Sequence, residues 1–238
     1  MEKTIEITKR IIAIGGGELK TKETLEIDRH IAALARERAG ENRPYGLFIG
    51  TASHDSMPYF NSFRKNYTSV FDIKADVALT VYGEMDLEKI KGKFEKADFI
   101  YVGGGDTLYM LKRWQEFGLL DLIKDAYERG VIICGLSAGA ICWFEDIYTD
   151  SELVEREGLY SMQKGLGWLK GTISPHYNER VADFDEIMSK MPTGSTAYGI
   201  ENLAALEFVN GELTKSISCG GNAYLIENRA NKLHKKII

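Results

Sequence analysis

Ser137 is the residue around which chemistry is most readily built. It stands in Gly135-Leu136-Ser137-Ala138-Gly139, after the apolar run 131–134 and before a small-residue stretch that reads as a helix start. Strand, sharp turn and helix in that order make a nucleophile elbow, which lifts a serine hydroxyl clear of a sheet edge. The two glycines permit the tight turn and a close approach of strand to helix. The amide of Ala138, at the helix N-terminus, is placed to donate to a developing oxyanion. The chemistry this predicts is attack on a carbonyl carbon through a covalent intermediate.

A serine nucleophile needs a base within hydrogen-bond reach and a group that orients the base. There are four histidines. His30 lies in a charged helical stretch and His234 in a basic tail, so both read as solvated. His176 follows Ile173 and Ser174, is fixed by Pro175, and is the preferred base; His54, at the end of another strand, is the runner-up. The carboxylate is open among Asp150, Glu152, Glu155 and Glu201. Most acids near 145–157 read as surface charge, whereas Glu201 stands between apolar elements in Gly199-Ile200-Glu201-Asn202. Further oxyanion donors are expected from Gly103-Gly104-Gly105, a triple glycine after an apolar strand, where the main chain can come close to a substrate oxygen. The earlier triple glycine at 15–17 lacks the spacing of a dinucleotide fingerprint and reads as a tight turn.

These residues need a scaffold. Short β-rich apolar runs at 10–14, 45–51, 77–81, 98–102 and 130–135 alternate with helical patterns at 24–38, 59–68, 88–96 and 108–114. That alternation predicts an α/β fold with a mostly parallel sheet flanked by helices. Residues 147–164 are polar and acidic, and read as a loop with a short helix. A helix is expected over 180–191. Residues 203–209 and 212–218, joined by Asn210-Gly211, form a β-hairpin pattern near the C-terminus. No repeat, low-complexity tract or linker divides the chain, so 1–238 reads as a single domain.

The totals exclude some partners. A net charge of −5 argues against nucleic acid or an anionic membrane surface. Three cysteines, none in a CxxC pair, suit buried thiols in a reducing compartment. The opening MEKTIEITKR has no signal-peptide h-region, and no stretch is long enough to span a bilayer, so a cytoplasmic protein is expected. No cluster has metal-ligand spacing, and neither metal nor cofactor is expected. The oligomeric state is open, a homodimer included.

In order along the chain, GGGDTLYML, GLSAGAICWF, SPHYNE and GIEN resemble the peptidase E family of serine peptidases, which includes aspartyl dipeptidases and cyanophycinases. The resemblance runs from the first strand to the hairpin. It implies a class I glutamine-amidotransferase-like architecture. It also implies Ser137 as nucleophile, His176 as base, and Gly104 or Gly105 with Ala138 as the oxyanion hole. For the acid it implies Glu201 first and Asp150 second. The expected substrate is a small peptide with an aspartyl residue on the acyl side, which calls for a cation; Arg180 is one candidate and Arg64 another. PHYNER departs from the PHF-type segment of the best-known members, so the pocket is expected to differ. A non-peptide esterase or amidase would use the same triad, and a non-catalytic binding protein on this fold is the reading from another class.

Overall fold

The computed structural model describes residues 7–83, 85–151, 160–230 and 232–238. Among these described residues, two sheets are built from thirteen strands. The larger is assembled from β1 (Arg10–Ile14), β2 (Tyr45–Ile49), β3 (Lys74–Ala78), β4 (Phe99–Val102), β5 (Ile132–Leu136), β10 (Ala204–Val209) and β11 (Glu212–Ser218) in the order β11-β10-β1-β5-β4-β2-β3. Its first five strands in sequence pair in parallel, and β10 and β11 join antiparallel. β10 and β11 are joined at Asn210 and Gly211, whose φ angles of 51° and 86° match the mirror-image turn that suits strand twist.

The central strands are buried on both faces, and their side chains divide with a period of two. Ile11, Ala13, Ile49, Val102 and Ile133 point to one core. Ile12, Ile14, Phe48, Tyr101 and Cys134 point to the other. α1 (Leu25–Ala39) and α2 (Met57–Phe71) cover the second face with Ile27, Ile31, Phe63 and Tyr67. α3 (Leu87–Phe94), α4 (Thr107–Phe117) and α5 (Leu119–Glu128) cover the first through Ile90, Trp114 and Ile123. The Asp106 side chain caps α4 by accepting from the Tyr109 amide.

The smaller sheet contains β6 (Phe144–Thr149), β7 (Ser161–Lys164), β8 (Leu169–Ser174), β9 (Thr196–Ile200), β12 (Ala223–Arg229) and β13 (Lys232–Ile237), in the order β13-β12-β9-β8-β6-β7. It shares the first core through Phe144, Ile147, Ile173 and Ile200. Its other face is closed by α7 (Tyr177–Lys190), whose Phe184 and Met188 pack with Tyr148, Ala197 and Ile226 of the sheet.

This second sheet departs from the sequence reading. The stretch 147–164, expected as a loop, supplies the end of β6 and all of β7, paired from Asp146↔Lys164 to Thr149↔Ser161. Polar side chains on β7 misled, because it is an edge strand with little to bury. The helix α6 (Ala138–Ile141) after the elbow has only four residues before β6 begins. The hairpin at Asn210-Gly211 is followed by a second antiparallel pair, β12 with β13, so His234 sits in a strand opposite Glu227 rather than in a tail. Among the described residues, no helix is long and apolar enough to cross a membrane.

Candidate active site

The sharp turn after β5 places Ser137 with φ 53° and ψ −110°, a conformation that costs a non-glycine residue energy and recurs at functional sites. Its amide donates to the Ile14 carbonyl at 2.9 Å, tying the elbow to the end of β1. The flanking glycines are required by space. A Cβ on Gly135 would lie within 3.0 Å of the Gly139 and Val102 carbonyls, and one on Gly139 within 3.0 Å of Val102.

β8 delivers His176 from the second sheet. The residue is left-handed, with φ 47° and ψ 38°, and opens α7; its amide donates to the Gly15 carbonyl at 3.1 Å. Nε2 of the imidazole lies 2.9 Å from Ser137 Oγ. Two residues 39 positions apart thus meet in hydrogen-bond geometry across the two sheets. The runner-up His54 packs on the ring of Tyr109, with centroids 4.2 Å apart, and His30 hydrogen-bonds Glu207 at 2.8 Å.

The group that holds His176 Nδ1 is not a carboxylate. Asn202 Oδ1 sits 2.6 Å from it. This corrects the expectation for Glu201, whose carboxylate turns the other way and accepts from the Asn222 amide at 2.8 Å and the Tyr224 hydroxyl at 3.2 Å. Successive residues at a strand end project to opposite sides, so the residue after β9 that reaches the imidazole is the second one, not the first. Asp150 does not touch the imidazole either; it pairs with Arg180 Nη2 at 3.0 Å. Glu152 and Glu155 lie outside the described residues.

Behind Asn202 stands Glu179, whose Oε1 accepts from Asn202 Nδ2 at 2.6 Å. The Asn178 side chain accepts from the Asn202 amide at 2.9 Å. Neither Asn202 nor Glu179 emerged from the sequence reading, although a spacing of three between His176 and Glu179 places both on one helical turn.

The loop after β1, read as a simple turn, also belongs to the site. A Cβ on Gly16 would fall within 3.0 Å of both Asn202 Oδ1 and His176 Nδ1. Only a glycine lets the backbone pass this pair so closely.

On the other side of Ser137 the β4–α4 loop brings in Gly104 and Gly105. An added Cβ on Gly104 would stand 3.3 Å from Ser137 Cβ, so the loop runs alongside Ser137. The Gly104 amide donates to the Tyr59 hydroxyl at 3.2 Å, and burial pushes the Tyr59 phenol up to about 12 despite that hydrogen bond. Gly105 has φ 137° and its Cβ would run into the Ala52 carbonyl, so this turn too admits only glycine. Ala138 begins α6 beside Ser137.

A cleft of about 920 Å³ opens over these residues, lined by Tyr59, Gly104, Gly105, Ser137, His176 and Arg180 among others. Arg180 is 4% exposed. Its guanidinium lies 4.5 Å from the centre of the Tyr160 ring, and its Nε has no hydrogen-bond partner among the described residues. Arg64, the other candidate cation, is exposed on α2 over the ring of Phe60.

Comparison with known proteins gives the family and the fold. The sequence profile described as peptidase family S51 matches residues 11–216. An uncharacterized peptidase, YgaJ, of Bacillus subtilis (strain 168) is 33% identical over 224 residues, 92% of each chain. The crystal structure of a peptidase from an acI-B1 actinobacterium superposes with a TM-score of 0.68 at 17% identity, over 98% of this chain and 97% of that one. That of a putative peptidase E protein from Listeria monocytogenes EGD-e has a TM-score of 0.64 at 21% identity, over 89% and 98%. At those identities the two structures speak for the fold alone.

Proposed function

The chain belongs to peptidase family S51, and on that footing we propose that it hydrolyses small peptides through Ser137 and His176. The observation that carries the reading is the 2.9 Å contact between His176 Nε2 and Ser137 Oγ at the floor of an open cleft. In this reading His176 takes the hydroxyl proton as Ser137 attacks the scissile carbonyl. The imidazolium returns that proton to the leaving amine, and water then hydrolyses the acyl-enzyme by the same route. The Ala138 amide and the Gly104–Gly105 backbone supply the oxyanion donors, with the substrate oxygen replacing the Tyr59 hydroxyl as acceptor of the Gly104 N–H. The class I glutamine-amidotransferase-like architecture is the finer fold assignment, supported by the elbow that follows a central parallel strand.

The finer substrate reading is a dipeptide with an acidic residue on the acyl side. Arg180 supports it as a buried cation in the cleft wall, where a guanidinium can hold a carboxylate through two parallel hydrogen bonds. Asp150 already neutralises part of that charge, so preference for an acidic side chain is expected to be modest.

A fluorophosphonate probe tests the core of this reading. It is expected to label Ser137 in the native protein and to leave Ser137→Ala untouched. Ser137→Ala and His176→Ala are each expected to lower kcat by at least ~10³-fold. A folded wild-type protein that resists the probe and turns over no dipeptide would overturn it. Rates on Asp-X against Ala-X dipeptides test the acidic preference, and rates on simple esters separate a peptidase from an esterase.

A further inference from the structure

Asn202 is an amide, and an amide can meet an imidazole either way round, with its oxygen accepting or its nitrogen donating. The choice determines which ring nitrogen of His176 carries the proton. Glu179 makes that choice. An ionised carboxylate only accepts, so the Asn202 atom 2.6 Å from Glu179 Oε1 is the nitrogen, Nδ2. Oδ1 is thereby turned onto His176 Nδ1, also at 2.6 Å. Nδ1 must then carry the proton. Nε2 is left with a bare lone pair, 2.9 Å from Ser137 Oγ. With the amide reversed, Nδ2 would demand a bare Nδ1 and force the proton onto Nε2, where it blocks transfer from the serine.

We propose that Glu179 is a positioning residue for Ser137, acting through Asn202 and His176. It rests on the reading of Ser137 as nucleophile and His176 as base. Glu179 does two things in this scheme. It fixes the direction of the Asn202 amide and hence the tautomer of His176. It also places a negative charge one residue behind the imidazole, where the neutral Asn202 supplies none. During attack the Ser137 proton passes to Nε2, Nδ1 keeps its own, and Glu179 stays ionised throughout. One helical turn serves the whole relay: His176 starts α7, Asn178 holds the Asn202 amide N–H, and Glu179 holds its side chain.

Among the described residues, the other charges lining the cleft are Glu18, Lys20 and Glu23 on the loop after β1, Asp150 after β6, and Arg180 on α7. They are the same in wild type and in the variants below, so their effects cancel in the comparison.

The test pairs nitrogen-15 NMR of the His176 ring in the full chain with fluorophosphonate labelling rates. Wild type is expected to show the tautomer protonated at Nδ1. Glu179→Gln replaces a group that only accepts with an amide that can meet Asn202 by either end, so it is expected to give mixed tautomers and a labelling rate several-fold lower. Glu179→Ala releases the amide, and is expected to give mixed tautomers and a labelling rate ~10-fold lower. Glu179→Asp is expected to recover the wild-type tautomer in part. Unfolding midpoints of all three check that the fold persists; if the alanine variant fails to fold, the glutamine variant still reads the loss of a group that only accepts. Unchanged tautomer and labelling rate in both Glu179→Gln and Glu179→Ala would overturn the proposal. If instead the ring responds as expected but wild type is never labelled, the relay stands and the peptidase reading of Ser137 falls.

Discussion

A methyl group on Gly16 would land on the atoms that join Asn202 to His176. The Gly16→Ala protein is therefore expected to fold and yet lose on the order of 10²-fold in labelling rate, because a shift of about 1 Å in a catalytic group costs about that much; labelling kinetics beside an unfolding curve would check it. Asn202 and Glu201 make a matched comparison. Asn202→Ala removes the partner of His176 Nδ1 and should cost ~10-fold or more in kcat. Glu201→Gln changes a side chain that faces Asn222 and Tyr224, and should cost less than threefold. Equal losses in the two variants would return Glu201 to the site. Asp150→Asn frees the Arg180 guanidinium from its counter-ion. It is expected to raise the Asp-X to Ala-X rate ratio severalfold, as the desolvated cation gains the substrate carboxylate as partner.

The elbow is where local geometry and sheet packing are coupled. β5, α6 and β4 approach so closely that Gly139 has the Val102 backbone where its Cβ would be. Backbone cannot rotate away as a flexible side chain can, so Gly139→Ala is expected to destabilise the fold by ~2 kcal/mol or more, read as a lower urea midpoint. At this scale much was legible. β1 spans the residues its apolar run announced, and α1, α2 and α4 follow their helical patterns with ends shifted by a few residues. Three of the elements that escaped share a cause. α5, β7 and β9 owe their existence to neighbours: α5 begins directly after Gly118 ends α4, and the two strands are completed by pairing with β6 and β8.

Over the whole molecule, the second sheet is what turns an elbow into a candidate active site. Ser137 belongs to the larger sheet and His176 to the smaller, and the core they share through Phe144, Ile173 and Ile200 holds the two at 2.9 Å. One buried carboxyl links the core to pH. Asp28, under α2, has its pKa raised to about 6 by burial, against hydrogen bonds from the Tyr67 and Thr24 hydroxyls that lower it. A raised folded-state value means that the native state binds the proton more tightly than the unfolded chain. Its contribution is fully present below about pH 4 and is lost as pH rises through about 6, by at most about 3 kcal/mol. Asp28→Asn should flatten that part of the stability profile, and urea unfolding at pH 4.5 and pH 8 would measure it.

The residue types and their local order were enough to fix the setting of Ser137: an apolar strand, two glycines and a helix start around it can be read without knowing what lies across from them. They also placed His176 at a strand end, since that too is a matter of neighbours in the chain. The partner of His176 was not legible in this way. Glu201 and Asn202 are adjacent, and the carboxylate was the natural choice by chemistry. Which of the two faces the imidazole depends on how the residues after β9 leave the second sheet. The same holds for Gly16, a turn residue in sequence and the wall behind the His176–Asn202 pair in space. A linear chain encodes what each residue can do; direction and distance between residues 26 or 39 positions apart exist only once both sheets have packed on one core.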